Sequence, residues 1–498
     1  MHLDFSTQAH FLIALAPELV LSVFGMVVLL LGVGDRRRDD HSPALDLGWI
    51  AVIGVAVAFL ANSWLYGISE VGNTSVIALD SLALFANWIF IAALGLSVLI
   101  SIPYVKNQKL QAGEFYGLLI YSTVGLMIMA AARDLILIFL GLEIMSIAVY
   151  ALTAMNRRDK RSAEAGLKYF ILGAFSTGFF LYGIALIYGA TGSTNISHIA
   201  SVLNANDANQ YFLAFGIILL AVGFAFKVSM VPFHMWTPDV YQGAPLPVTA
   251  FMAVAVKAGA FVALLRVFSV GFEIVHEYWQ DIFWWLAVLT MIAANLIALV
   301  QADLKRILAY SAIAHAGYLM VAIVSGNDTS ASGLLFYLLV YTFMSIGAFG
   351  IMIIVSRQSE EFQQVDDYAG FGWEQPVLGI LFSIFLLSLA GFPGTGGFMA
   401  KIFLLQGALE ADLIYLSIIL VVTTVISYWY YLRVAWFMWM YETPNIETHS
   451  DITIPTPMWL ALVLSIVLVV YLGIFPDSAL EFARSSIEGL SYIGPNLN

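Results

Sequence analysis

Runs of about 20 apolar residues recur along almost the whole chain, and each is long enough as a helix to cross roughly 30 Å of hydrocarbon. About 14 can be drawn on that criterion: 12 to 33, 47 to 66, 79 to 102, 115 to 131, 135 to 154, 164 to 190, 211 to 231, 247 to 271, 280 to 300, 304 to 324, 331 to 356, 375 to 409, 413 to 440 and 456 to 475. A chain of 498 residues that is 61% hydrophobic and only 11% charged is far more apolar than a soluble globular protein. The expected fold is therefore an all-α integral membrane protein.

Charge places the runs in a direction. Lys106 and Lys109 follow the third run, Arg157 to Arg161 the fifth, and Arg306 stands beside the ninth, whereas the loops near 67 to 78, 191 to 210, 272 to 279 and 325 to 330 hold no Lys or Arg. The positive-inside rule then predicts both termini on the outer side. Met1 to His10 has no basic residue, and Arg36, Arg37 and Arg38 come after the first apolar run, an order that anchors a helix rather than marking a cleaved signal. A net charge of −13 argues against nucleic acid as a partner. The acidic stretch Glu360 to Asp367 reads as a solvated loop.

No cysteine occurs, so the chain can supply neither thiolate ligands for iron–sulfur clusters nor disulfides. His234 and His315 are the two of eight histidines in or beside apolar runs, a thin basis for a bis-histidine haem. There is no Walker A pattern and no strand-bounded dinucleotide fingerprint. No cofactor and no metal is expected within this chain.

Charges inside apolar runs are the functional candidates. Lys168, Lys227, Lys257 and Lys401 each interrupt one, and Glu143 does so with the opposite sign. A lysine at the centre of a membrane helix costs roughly 2.5 to 3.5 kcal/mol on insertion scales, so four together cost on the order of 10 kcal/mol without water or partners. A hydrated file of titratable groups inside the membrane would relieve them, and such a file is what proton movement needs.

Each candidate also has a bland reading. Glu143 alone fits a structural carboxylate; with Lys227 on another helix it fits a pair whose opening would release the lysine's proton. Lys257 lies too deep to reach either surface, whereas Lys168 is close enough to one end of its run to snorkel. Lys305, beside Arg306 at a helix start, reads as an interfacial anchor. His315 fits a satisfied core histidine as well as a relay. The 12 Trp and 23 Tyr read as interface belts and packing, without chemistry.

An internal repeat organises the middle of the chain. A shift of about 167 to 169 residues brings Asp134-Leu135 onto Asp303-Leu304, Gly166-Leu167 onto Gly333-Leu334 and Tyr169-Phe170 onto Phe336-Tyr337. Each copy then holds one apolar run broken by glycine and proline: "KVSMVPFHMWTPDVYQGAPLP" at 227 to 247, and "GFPGTGGFMAK" at 391 to 401. Five runs separate equivalent elements, so the copies face opposite ways, the plan of secondary transporters. An unbroken helix from Tyr211 to Gly243 would extend about 50 Å, too long for the hydrocarbon core. Lys227 and His234, seven residues apart, would lie roughly 10 Å apart on one helical face, a gap a few waters bridge. The expected organisation is N-terminal helices over 1–131, a first five-helix inverted repeat over 132–271, a second over 280–440, and a C-terminal loop, last membrane helix and tail over 441–498.

The stretch "KVSMVPFHMWTPDVYQGAPLPVTAFMAVAVKAGAF" at 227 to 261 resembles the signature of the antiporter-like subunits of respiratory complex I and of multisubunit sodium/proton antiporters. With it, "GLEIMSIAVYAL" at 141 to 152, "AGLKYFILGAFSTGFFLYG" at 165 to 183 and "GFPGTGGFMAKIFLL" at 391 to 405 are similar to the subunit N branch of that family in bacterial proton-translocating NADH:quinone oxidoreductase. Lys401 in the second break, the number of runs and the lack of a long C-terminal lateral helix carry the assignment to that branch.

The resemblance implies a subunit without redox groups that moves protons along a hydrophilic axis, driven by quinone reduction elsewhere. By the same resemblance Glu143 pairs with Lys227, the pumping lysine; His234 and Lys257 form the central relay; and Lys401 is the outlet. It further implies a bacterial inner membrane, flavin and iron–sulfur clusters in partner subunits, subunits K and M as neighbours, and lipid around the rest. Two other readings stay open at this point: a subunit of a multisubunit sodium/proton antiporter, and a structural membrane scaffold.

Overall fold

The computed structural model describes residues 12–35, 46–68, 76–356, 363–442 and 454–491. Arg36 to Arg38 and the start of the acidic stretch at Glu360 lie outside them. In chain order the helices are α1 (Ala16–Asp35), α2 (Leu47–Tyr66), α3 (Ser81–Asn107), α4 (Ala112–Ala131), α5 (Leu135–Thr153), α6 (Lys160–Thr191), α7 (Ile196–Asn204), α8 (Gln210–Lys227) and α9 (Trp236–Gly243). They continue as α10 (Leu246–Gly271), α11 (His276–Leu299), α12 (Leu304–Ser325), α13 (Asp328–Ser356), α14 (Pro376–Ala390), α15 (Gly396–Glu410), α16 (Ile414–Met440), α17 (Thr456–Ile474) and α18 (Asp477–Ser491).

Among the described residues, 13 helices are long and apolar enough to cross a membrane. The twelfth of the expected runs, 375 to 409, is split as its glycines and proline suggest, into α14 and α15, each 15 residues long and so about 22 Å at 1.5 Å per residue. Gly391 and Gly394 make the break, with φ of 91° and 86°, a region where side chains other than glycine's are strained.

The other long run breaks after Lys227, and helix resumes at Trp236. Its freed backbone groups find partners inside the protein, as groups at membrane depth must. Trp236 Nε1 donates to the Phe226 carbonyl at 3.0 Å and the Val231 N–H to Thr290 Oγ1 at 3.0 Å. Pro238 sits in the first turn of α9, where its missing N–H costs no helical bond. Because helix stops at Lys227, His234 does not share a helical face with it; the expected one-face spacing fails here, and His234 lies half-buried in the unwound stretch.

Helices apolar all round belong at the centre of a bundle. The apolar spans of α10 and α12 are wholly buried and that of α13 nearly so, while α1, α2, α6 and α16 line the perimeter with exposed apolar side chains. α10 passes through two π-helical turns, Met252–Val256, immediately before Lys257, and Val267–Gly271 at its end.

Small antiparallel bridges tie loops together at matched places. Asp134 pairs with Asn195, and Asp303 with Gln364, so one step of 169 positions relates both members of the two pairs. Asp134 and Asp303 also cap the starts of α5 and α12, accepting from the N–H of Ile136 and Arg306 at 2.8 and 3.0 Å.

Candidate functional site

Lys227 is the last residue of α8 and is 3% exposed. Its ammonium donates to Ser146 Oγ at 2.8 Å and Tyr150 Oη at 3.2 Å, both on α5, and stands 5.5 Å from the centre of the Tyr150 ring. A helix carboxyl end carries partial negative charge and favours a cation there. Glu143, one turn before Ser146, is half-buried and accepts from Thr177 Oγ1 of α6 at 3.0 Å. No Glu143–Lys227 ion pair forms. The expected pair is thus open in this structure, with hydroxyls holding the lysine and Thr177 holding the acid.

Lys257, in the centre of α10, donates to the Ala312 carbonyl of α12 and lies 5.3 Å from the Tyr341 ring of α13. His315, on α12, is enclosed by tyrosines. Its Nδ1 is 2.5 Å from Tyr337 Oη and its Nε2 3.2 Å from Tyr431 Oη, and Tyr431 in turn shares a hydrogen bond with Ser311. The Tyr341 ring, 4.9 Å from the imidazole, borders both Lys257 and His315.

Lys401 lies just past the second break. It donates to the Leu389 and Ala390 carbonyls at 3.3 and 2.7 Å, the last acceptors of α14, and stands 4.9 Å from the Tyr318 ring. Tyr318 lies 5.6 Å from the His315 imidazole. Lys257, Tyr341, His315, Tyr318 and Lys401 therefore form one unbroken series of contacts through α10, α12, α13 and α15.

Two lysines divide between the readings given for them: Lys168 takes the snorkelling one, and Lys305 departs from its own. Lys168 is not buried: its side chain is 42% exposed, and it pairs with Glu164 at 2.7 Å and Asp239 at 2.8 Å. These line a surface pocket of about 230 Å³ with Arg161 and Gln242. Arg306 binds the other oxygen of Asp239 at 3.1 Å. Burial works against the Asp239 carboxylate, but the hydrogen bonds from Lys168 and Arg306 outweigh it and hold the group below its usual pKa.

Lys305, expected as an interfacial anchor, is 1% exposed and donates to the Gln242 and Ala244 carbonyls at 3.3 and 3.1 Å. The cause is tertiary, since α9 ends against the start of α12 and its last carbonyls need a donor there.

Sequence reasoning missed the tyrosines. Three of the buried lysines rest over a tyrosine face, and His315 uses two tyrosine hydroxyls. Helical spacing was the available signal: Glu143, Ser146 and Tyr150 stand at i, i+3, i+7, and so do Ser311 (with His315 at i+4) and Tyr318.

Two buried groups outside this series were also missed. Arg266 grips Asp80 through two bonds of 2.6 and 2.7 Å, and Glu18 accepts from Asn87 Nδ2 at 3.3 Å. Among the described residues, no cluster of three or more His, Cys, Asp or Glu side chains is arranged to hold a metal ion.

Comparison with known proteins places this geometry. Residues 132–427 match the family model described as NADH:quinone oxidoreductase/Mrp antiporter, TM. NADH-quinone oxidoreductase subunit N of Trichlorobacter lovleyi is 46% identical over 473 residues, 95% of this chain and 96% of the relative. A subunit N of Solibacter usitatus is 40% identical over 474 residues, covering 95% and 96%. In the structure of respiratory complex I from Thermus thermophilus with bound aureothin, one chain superposes with a TM-score of 0.79 at 32% identity, covering 94% of this chain and 99% of that one. A chain of the Mrp complex from Dietzia shares the fold, with a TM-score of 0.81 at 20% identity over 96% of this chain and 98% of that one.

Proposed function

The chain belongs to the family of membrane subunits shared by NADH:quinone oxidoreductases and Mrp antiporters, and from that premise we propose that it is a proton-translocating membrane-arm subunit of an NADH:quinone oxidoreductase. It is a multi-pass inner-membrane protein whose partners are other membrane subunits of that complex. Its role is non-redox: it moves protons, in the manner of a translocase, while flavin, iron–sulfur clusters and quinone chemistry belong to partners. Subunits K and M are its neighbours, and both termini face the outer side.

One observation carries this reading. Lys227, Lys257 and Lys401 are buried, and each ammonium is held by hydroxyls, carbonyls or a tyrosine face, with no carboxylate among the described residues paired to it. A lysine in a tight ion pair cannot lose its proton without leaving an uncompensated buried anion, which is costly. One held by neutral groups leaves no such anion. The proposed route runs from Glu143 and Lys227 through His234, Lys257 and His315 to Lys401. Lys168 belongs to the surface network around Asp239, at the edge of this route.

The recurrence of the Asp134 and Asp303 bridges supports two copies, 132–271 and 280–440, related by inversion, because five apolar segments lie between them. The sodium/proton antiporter reading leans on a likeness at 20% identity, which speaks for the fold alone.

The test is Lys227→Ala in the assembled complex. Proton translocation falls to near background while flavin and iron–sulfur content stay intact. Normal pumping by a fully assembled variant overturns the proposal.

A further inference from the structure

We infer that Ser146 and Tyr150 form a second seat for the Lys227 ammonium, alternative to Glu143, and that α6 determines which seat is open. The inference rests on the proton-translocating role proposed above for Lys227. It is distinct from that role because it concerns where the lysine resides when its acid partner is disengaged.

Four observations converge on it. First, Glu143, Ser146 and Tyr150 stand at i, i+3 and i+7 on α5 and so share a face, with neighbouring Cβ atoms about 5 to 6 Å apart. A lysine side chain, four flexible carbons long, spans that step without its helix moving. Second, the seat is formed and occupied: Nζ bonds both hydroxyls, and Ser146 uses its own hydrogen toward the Leu142 carbonyl at 2.5 Å, leaving its lone pairs for the ammonium.

Third, the carboxylate is engaged elsewhere in the same state, by Thr177. Fourth, Tyr150 reaches Lys227 only because residue 173 is glycine: a Cβ there would fall 2.0 Å from the tyrosine oxygen. Gly173 and Thr177 are one turn apart on α6, and the single hydroxyl hydrogen of Thr177 is shared between Glu143 at 3.0 Å and the Gly173 carbonyl at 2.9 Å. One turn of α6 thus clears room for the hydroxyl seat and occupies the acid. A displacement of that turn changes both together, and interactions at i and i+4 on a rigid helix make the two changes concerted.

The experiment uses vesicles holding the assembled complex and reads protons moved per quinone reduced, with uncoupled quinone reductase activity as the measure of assembly. Ser146→Ala and Tyr150→Phe each lower proton translocation by on the order of tenfold, the loss of one hydrogen bond to a charged group. Ser146→Thr, which keeps the hydroxyl, restores it; recovery by the hydroxyl alone is what a merely structural serine would not show. Gly173→Ala reproduces Tyr150→Phe, because the added methyl takes the hydroxyl's place.

Lys227→Ala is run alongside. If it abolishes pumping while Ser146→Ala, Tyr150→Phe and their double variant pump like the parent, the second seat is overturned and the proposed role of Lys227 stands. If Lys227→Ala itself pumps normally, both fall.

Discussion

Tyr341 illustrates what a single residue contributes to this molecule. Its ring lies against both Lys257 and His315, so it substitutes for water around one cation and positions the next group. A desolvated cation–π contact contributes about 2 kcal/mol. Tyr341→Phe keeps the face and is expected to retain most proton translocation, whereas Tyr341→Leu loses it on the order of tenfold or more by the same figure; pumping assays on the pair separate ring from hydroxyl. At Tyr431 the prediction inverts, since the hydroxyl rather than the ring reaches His315 Nε2 and Ser311. Tyr431→Phe is therefore the damaging change there, and equal behaviour of Phe variants at 341 and 431 would contradict the assignment.

Asp239 sets a useful boundary at the same scale. Its lowered pKa means the charged form is favoured in the fold, so its contribution to stability is present above the ordinary carboxylate value near 3.8 and is lost as pH falls through the lower folded value. The Asp239 carboxylate accordingly stays charged at neutral pH. Asp239→Asn should leave the shape of the pumping profile between pH 6 and 8 unchanged; a displaced profile would place Asp239 among the titrating groups.

Among elements, the two interrupted runs decide the most. Both half-helices that end inside the bundle, α8 and α14, present a carboxyl end to a lysine: Lys227 on α8 itself, and Lys401 reaching back from α15. Interrupting a helix at membrane depth thus supplies the acceptors that make a buried ammonium tolerable. Gly391 holds the second interruption. Gly391→Ala would force a Cβ onto a left-handed residue and within 2.9 Å of the Lys401 side chain. It should destabilise this turn by about 1 to 2 kcal/mol, read as a lowered temperature of thermal inactivation in the purified complex, together with weaker pumping because Lys401 is displaced.

The presence of both interruptions was legible in the sequence, from Pro232, Pro238, Pro393 and the glycines of 391 to 397. Their ends were not. Whether helix stops at Lys227 or continues past His234 depends on Trp236 and Thr290 arriving to satisfy the freed backbone, and on Thr237 bonding the Ser229 hydroxyl beside it, and those contacts come from the folded chain.

For the whole molecule, Arg266 and Asp80 join the N-terminal helices to the centre. The guanidinium on α10 grips the cap residue of α3 and also donates to the Ala130 carbonyl of α4 at 2.9 Å. Removing one partner of such a buried pair costs about 3 to 5 kcal/mol, while replacing both with apolar groups of similar size is close to neutral. Asp80→Ala is thus expected to reduce assembled complex on native gels, and the double variant Asp80→Leu with Arg266→Met to recover much of it. If the double variant is as poor as the single one, the pair does more than join helices. Around this centre, α18 packs its Phe482 against Tyr66, Phe85 and Trp88 at 4.9, 5.0 and 4.8 Å, so the tail after the last long span closes one end of the bundle.

By itself the sequence determined the membrane class, the approximate course of nearly every span, the family, and which charged residues stand inside apolar runs, because all of these are written in local apolar length and in motifs of contiguous residues. The tertiary structure alone decided what holds each charge. Lys168, which could be read as buried or as snorkelling, lies at the surface; Lys305 looked superficial and is enclosed; and the tyrosines beneath Lys227, Lys257 and Lys401 carried at most a helical spacing that did not say which lysine each would meet. The reason is physical. A cation taken out of water must be resolvated by dipoles, and here the hydroxyls, ring faces and helix-end carbonyls that do so come mostly from segments tens to more than a hundred residues away in the chain, a distance over which no local pattern reports.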